Sequence, residues 1–351
     1  MNKKTYLAIA IAIIMITILS SCSQTPTGQV TKQKEIKIAA IMTLSGDYAQ
    51  YGIDEMNAIR LFIDEYNKAH TKQLKLLVED SQTNPKVAIS AFNKLMLSKP
   101  DVILAVGSSI SLAMQPLVNE QKVPVITVAA NPAVADGYMI QNLMTSEDHV
   151  NAIIKEINKR DISKIGVIYR NDDFGVSVKD EFKKNFKGEV YVQAADPQER
   201  DFRTIITKLK SRNPDALFVI EAGRTLGTLI VQIRELLGDI TIYATSEVTY
   251  EDVRETAGSS LYNIIYSDMD LDYEKPILKN FKEAYIAKYG VEPSLDSLFA
   301  YNAMLLIAEC IDNDQALSEC LRTSKFKGLT GDLKVENNRI IYSDSMTTRN
   351  I

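Results

Sequence analysis

The stretch Asp101–Pro132, DVILAVGSSISLAMQPLVNEQKVPVITVAANP, constrains the fold of this chain more than any other. Asp101–Val106 is a short run of Val, Ile, Leu and Ala that stops at Gly107. Apolar runs of this length, bounded by turn residues, suit strands buried on both faces of a parallel sheet. Ser108, Ser109 and Ser111 follow, and small hydroxyl residues after a strand predict a helix start, with the helix reaching about Gln121. Val123–Val128 is a second buried strand that ends in Ala129, Ala130 and Asn131. Two parallel strands thus end in small polar loops at neighbouring carboxyl ends, which is where open α/β sheets bind ligands. Free N–H groups at the helix start favour an anion such as a carboxylate, although the same serines would serve equally well as plain caps.

The rhythm of strand, loop and helix extends in both directions. Upstream lie a strand at Ile36–Met42, a loop at Thr43–Gly52, a helix at Ile53–Lys68 and a strand at Leu74–Glu79. The next helix runs to Leu97, with Asn84 as its cap and Pro85 in its first turn. The pattern restarts near residue 145, where Ser146 is expected to cap a helix to Lys159. Strands follow at Lys164–Tyr169, Glu189–Gln193, Ala216–Ile220, Thr241–Ala244 and Leu261–Tyr266, with helices between them. Helices at Lys275–Tyr289 and Ser294–Ile311, a third to about Thr323, and a hairpin at Leu329–Tyr342 turning on Asn337-Asn338 complete the chain. No βα unit follows, so these last elements are expected to return to the first lobe. The pattern therefore predicts an α/β protein of two doubly wound, Rossmann-like lobes, with residues 36–142 plus 269–351 in lobe 1 and 143–268 in lobe 2.

Residues 1–22 are read as outside the fold. Lys3 and Lys4 precede an apolar run, Tyr6–Leu19, which has the form of a secretory signal and is short for a membrane span. Leu19-Ser20-Ser21-Cys22 resembles a bacterial lipobox, which implies that Cys22 is lipidated and that the rest of the protein lies outside the cytoplasmic membrane. Ser23–Glu35 is polar, contains Pro26 and Gly28, and reads as a flexible tether. Hydrophobic content of 46% and charged content of 24% are ordinary for a globular protein. A net charge of −5 without a basic patch interleaved with aromatics argues against nucleic acid as partner. Cys310 and Cys320 could pair or remain free thiols. His70 and His149 are both expected at surface helix positions, so no metal site is expected. Phosphate-loop, dinucleotide, nucleophile-elbow and HExxH motifs are all absent. The pairs Asp172-Asp173 and Asp312/Asp314 read as solvated turns. An enzyme and a bound cofactor are therefore not expected.

Four pieces together resemble the type I periplasmic-binding fold, in particular the solute-binding lipoproteins of the branched-chain amino-acid ABC-transporter family. They are IKIAAIMTLSGDYAQYGIDEMNAIRLFIDEYN from Ile36, the opening stretch, KIGVIYRNDDFGVSVKDEF from Lys164 and ERDFRTIITKL from Glu199. The likeness covers roughly residues 36–345. It implies a hinge between the lobes, a small amino-acid-like ligand held in the cleft, and delivery to an ABC permease. It also implies that Ser111 holds a ligand carboxylate, with Ser109 beside it, a backbone contact at Ala129, and Asn131 where the family commonly has Thr or Ser. Tyr51 matches an aromatic wall, Phe174 stands where the family commonly has Tyr, and Ala222 stands near a second family Tyr. The acid that pairs with an ammonium falls near Ser246-Glu247, with Ser246 in the matching column and Glu247 the favoured residue; Glu221 and Asp296 are other candidates. Rival expectations are a neutral amide or urea as ligand, and a sensing lipoprotein that presents its closed form to a receptor.

Overall fold

The computed structural model describes residues 35–313, 315–342 and 346–351. Cys22 lies outside them. The chain opens β1 (Glu35–Met42), α1 (Ala49–Ala69), β2 (Gln73–Asp80), α2 (Pro85–Met96), β3 (Val102–Val106), α3 (Ser108–Gln121), β4 (Val125–Val128) and β5 (Met139–Gln141). Helix α4 (Ser146–Ile157) leads into a second series: β6 (Lys164–Arg170), α5 (Asp173–Asn185), β7 (Glu189–Ala195), α6 (Arg203–Lys210), β8 (Ala216–Ile220), α7 (Gly223–Leu237), β9 (Thr241–Ala244), α8 (Glu251–Ala257) and β10 (Ile264–Met269). Helices α9 (Pro276–Tyr289), α10 (Leu295–Asp312) and α11 (Leu317–Thr323) precede β11 (Lys325–Gly328), β12 (Gly331–Glu336), β13 (Arg339–Ile341) and β14 (Met346–Asn350).

Two sheets form. The first has the order β11-β12-β13-β5-β4-β3-β1-β2 and the second β14-β10-β9-β8-β6-β7. Without β11–β13 at the edge of the first and β14 at the edge of the second, both follow one doubly wound order: the second strand, the first, then the third to fifth. The order reverses between β1 and β3 in one sheet and between β6 and β8 in the other, and these are the points where doubly wound sheets open a crevice. The uninterrupted apolar runs explain the parallel centre: β3 and β8 are buried at every residue. Each Ile, Val or Leu so buried contributes roughly 1.5–3 kcal/mol. Helix α1 buries Met56, Ile59, Phe62, Ile63 and Tyr66, the stripe that a 3.6-residue repeat places on one face. The hydroxyls of Tyr285 and Tyr289 donate to the carbonyls of Asp54 and Asn57, tying α9 to α1.

Several expectations are met in detail. Asn84 caps α2 by accepting from the Lys86 N–H at 2.9 Å, with Pro85 at the first position. Asn337 and Asn338 turn the β12–β13 hairpin with positive φ values of 49° and 58°, the conformation that a two-residue turn asks of Asn. Cys310 and Cys320, left open by the sequence, form a disulfide between α10 and α11.

Other expectations need correction. The cap of α4 is Thr145 in place of Ser146, in a reciprocal capping box with Asp148. His149 is buried, at 3% exposure, because it shares with Ile153, four residues on, the face that α4 turns to the core; its Nδ1 meets Ser267 Oγ at 2.9 Å. The chain's end does not return wholly to the first sheet. β14 pairs antiparallel with β10 over Met346–Asn350, covering the free edge of the second sheet, a protection that edge strands need. The chain therefore passes between the sheets after β5, after β10 and after β13.

Glycine 52 fixes where the first-lobe loop lies. A Cβ built there would stand 2.0 Å from the Thr43 carbonyl oxygen and 2.7 Å from its carbon, so α1 starts against the backbone that leaves β1. Gly52→Ala must push Thr43 aside, and overpacking of this kind costs about 1–3 kcal/mol. Thermal or denaturant unfolding of Gly52→Ala is expected to show a loss in that range; unchanged stability would mean that the loop moves freely.

Candidate functional site

The carboxyl ends of both sheets face one gap, and the loops that leave them line a cavity of about 120 Å³. A dry cavity of about 150 Å³ holds a benzene-sized molecule, so the space suits a small organic solute. From the first sheet come Thr43, Tyr48 and Tyr51 after β1, Gly107, Ser108 and Ser109 after β3, and Ala129 and Ala130 after β4. From the second come Arg170 at the end of β6, Asp172 and Phe174 after it, Ala222 after β8 and Glu247 after β9; Asp296 is added at the start of α10.

The first-sheet loops are pinned from behind. Asp80 accepts from the Leu44 and Gln82 N–H groups, both at 2.9 Å, and from Ser45 Oγ. Gly107 ends β3 with φ 95°, a conformation that glycine adopts without a Cβ clash, and α3 begins at once with no side-chain cap. The first turn of such a helix has N–H groups without intrahelical partners. Ser108 Oγ accepts from the Asn131 N–H at 3.3 Å and Ser109 Oγ from the Asp173 N–H at 3.3 Å.

Two expected contacts are not at the wall. Ser111 is fully buried; its Oγ bonds the Gly107 carbonyl at 2.8 Å and Thr127 Oγ1 at 2.5 Å. As the fourth residue of α3 it turns back on the strand end and stabilises the loop. Asn131 accepts from the Ala133 N–H at 3.0 Å and donates from Nδ2 to the Asp173 carbonyl at 3.2 Å. It is a strut between the sheets. Tyr51, Ser109, Ala129, Phe174, Ala222, Glu247 and Asp296 do line the cavity. Within the Ser246-Glu247 pair, Glu247 faces the cavity, while Glu221 lies behind the wall.

The sequence reading missed Arg170. Its guanidinium is 4.6 Å from the centre of the Tyr48 ring and 5.6 Å from that of Phe174. Nε donates to Asp172 Oδ2 at 2.6 Å, and Nη1 lies 3.6 Å from Glu221 Oε1. Burial opposes its charge, but Asp172 and Glu221 outweigh that and raise its pKa further. Asp172 also accepts from the Gly175 N–H at 2.9 Å, capping α5, so it is not the solvated turn residue expected. A basic residue that ends a buried strand, two before an acid, was the available signal.

Contacts across the gap are numerous. Tyr48 Oη donates to Glu221 Oε1 at 3.4 Å, the Gly223 N–H donates to Tyr51 Oη at 3.0 Å, and Tyr250 Oη donates to Asp296. The Tyr51 and Tyr250 rings lie against each other, tilted by 33°, with centroids 4.2 Å apart. Glu247 Oε2 is buried without a hydrogen-bond partner among the described residues. Asp296 is pushed up to about 7, first by burial and then by Glu247 and Asp54. Glu221 also rises to about 7 through burial, against the pull of Arg170. Asp54, Glu55 and Asp252 shift upward, again chiefly through burial.

The sequence profile of the periplasmic binding protein family matches residues 35–342. A Leu/Ile/Val-binding protein of Citrobacter freundii is 25% identical over 232 residues, 62% of this chain and 63% of that protein, so the match spans less than two thirds of that relative's length. Among solved structures, the leucine-binding protein LivK of Thermotoga maritima superposes with a TM-score of 0.84 at 22% identity, covering 90% of this chain and 95% of that one. An ABC-transporter solute-binding protein of Rhodopseudomonas palustris, in complex with 3,4-dihydroxybenzoic acid, superposes with a TM-score of 0.79 at 21% identity, covering 90% and 93%.

The raised acids give stability a pH dependence. Unfolded, such carboxyls ionise near pH 4, whereas Asp296 and Glu221 keep their protons to about pH 7 in the native chain. Between those values the native state binds more protons, so stability falls as pH rises, by about 1.4 kcal/mol per unit for each group. His149, whose pKa burial depresses, acts the opposite way below its ordinary value and offsets part of this. Ligand-free protein is expected to melt higher at about pH 5.5 than at about pH 8, and Asp296→Asn is expected to shrink the difference. An undiminished difference in that variant would show Asp296 to be ionised at neutrality.

Proposed function

Because this chain belongs to the periplasmic binding protein family, on the branched-chain amino-acid transporter side of it, we propose that it is an extracytoplasmic solute-binding lipoprotein. It captures a small amino acid between its two sheets and delivers it to an ABC permease. Hinge closure on ligand is established behaviour for periplasmic binding proteins as a class. The contacts of Tyr48, Tyr51 and Tyr250 with the opposite lobe are bonds that opening would break.

The observation that carries the amino-acid reading is the unpartnered, buried oxygen of Glu247 in a cavity whose other wall is the start of α3. A buried carboxylate oxygen without a partner is unfavourable, and an α-ammonium would supply the partner. The carboxylate end is taken by the first-turn N–H groups of α3, with the Ser109 hydroxyl beside them; charge-assisted bonds of this type contribute roughly 1.5–3 kcal/mol each. Tyr51 and Phe174 form the walls. An aromatic acid is the second reading, because Arg170 and the Tyr48 and Phe174 rings also line the cavity. Such a ligand has no ammonium and gains nothing from Glu247.

Calorimetry separates the two. With an amino acid as titrant, Glu247→Gln is expected to weaken binding at least about tenfold, or about 1.4 kcal/mol. Full affinity in that variant, or saturable binding of benzoates with none of amino acids, would reject the amino-acid reading.

The anchor is proposed at Cys22, on the Lys-rich start, the apolar run and the Leu-Ser-Ser-Cys ending. Stable membrane attachment takes more than a single acyl chain, and lipobox cysteines carry several. Cys22→Ser is expected to move the protein from the membrane to a soluble or unprocessed fraction; normal processing with unchanged membrane retention would count against it.

A further inference from the structure

The charges that face the cavity do not balance for a neutral amino acid. Arg170, Asp172, Glu247 and Asp296 are its charged lining residues. Arg170 is matched inside the protein by Asp172 at 2.6 Å and Glu221 at 3.6 Å, so it is already engaged. Glu247 and Asp296 remain, and neither forms an ion pair with a described cation. Glu247 has a buried oxygen with no hydrogen-bond partner among the described residues. Asp296 accepts one hydrogen bond, from Tyr250 Oη across the gap, which fixes the carboxyl in place.

The surroundings of Asp296 offer no relief. Asp54 is 5% exposed and Glu55 1% exposed; both act electrostatically on the Asp296 region, as Glu247 does. Glu55 Oε1 likewise has no hydrogen-bond partner among the described residues. Gln50 and the hydroxyls of Tyr250 and Ser294 hydrogen-bond to these carboxyls, and all are neutral. An amino acid with an apolar side chain would pair with Glu247 and leave Asp296 holding its proton beside that side chain, without an ion pair. A ligand with two cationic groups neutralises both.

Resting on the amino-acid reading above, we propose that the solute is a cationic amino acid, which seats its α-ammonium on Glu247 and a side-chain ammonium on Asp296. The carboxylate remains at the start of α3. Asp296 thus determines specificity: it stands where a hydrocarbon side chain would otherwise lie, and it replaces dispersion contact by an ion pair. The ligand needs Asp296 ionised, whereas the empty cleft holds a proton there near neutrality. Binding therefore releases a proton, and affinity for a cationic amino acid rises with pH through about pH 7. Tyr250, Tyr51, Glu247, Asp54 and Glu55 are the titratable groups around it; the acids among them only sharpen the demand for a cation.

The test is calorimetry on the solute-free full chain with L-lysine and L-ornithine, against L-leucine, L-isoleucine, L-valine, L-glutamine and 3,4-dihydroxybenzoate. The cationic amino acids are expected to bind at least about tenfold more tightly than the neutral ones, about 1.4 kcal/mol, with affinity rising from about pH 6 to about pH 8. Asp296→Asn is expected to abolish both the preference and the pH slope, while Asp296→Glu restores part of the preference, which a merely structural role would not do. Neutral amino acids binding as tightly as lysine and ornithine would overturn the proposal and leave the amino-acid reading intact. Binding of the benzoate alone would overturn both. Should Asp296→Asn fail to fold, the ligand order and pH slope of the unaltered chain still decide.

Discussion

A parallel strand cannot be followed directly by its neighbour. The chain must return through a helix, so every loop that leaves a parallel strand does so at the same end of the sheet. This constraint organises the molecule. Both sheets wind in the same order from their first strands, both reverse next to that strand, and both turn their carboxyl ends to one gap. The residues of the cavity come from segments far apart in sequence, from Thr43 to Asp296, yet each sits within a few residues of a strand end or a helix start. Antiparallel additions are confined to the outer edges, where β11 and β12 and β14 extend the sheets without touching the gap.

What was legible in the sequence follows from this. Buried parallel strands are unbroken apolar runs, so VILAV, KIGVIY and ALFVI could be located from composition alone, and their ends pointed to the loops that matter. Glycine 107 and the proline and asparagine at the start of α2 are similarly local signals. The rest depended on contacts between distant segments. Nothing near Ser111 shows that its hydroxyl will find Thr127, a residue on the neighbouring strand, instead of the cavity. Asn131 is drawn off by the Asp173 carbonyl from the other lobe. His149 looked exposed because a lone imidazole in a polar helix carries no face of its own; its burial is set by the strand β10 that α4 packs against. The pairing of β14 with β10 likewise joins residues 265 to 350, beyond the reach of any periodicity.

The electrostatics of the cleft show a division of labour between its two acidic groups of residues. On one side Asp172 and Glu221 surround Arg170, and the guanidinium lies over the Tyr48 ring of the opposite lobe. That assembly is complete without a solute. Its worth is structural: desolvated arginine over an aromatic face, with charge-assisted bonds at its edge, gains from cation–π attraction and from pairing together. Because Tyr48 belongs to the first lobe and Arg170 to the second, these contacts join the two lobes across the gap.

On the other side Glu247 and Asp296 have no such cation among the described residues, and Tyr250, Asp54 and Glu55 add only hydroxyl and acid. A closed cleft with that composition is stable only if protons or a solute take up the negative charge. With burial pushing Asp296 to about 7, a proton does so in the empty protein near neutrality, and a cation that displaces the proton gains the ion pair at the cost of releasing it. The two sides of the cavity thus differ in what a solute can add to them. On the proposed reading, the Arg170 side is complete without a solute, whereas a solute that brings cations to Glu247 and Asp296 gains ion pairs that a solute without them does not.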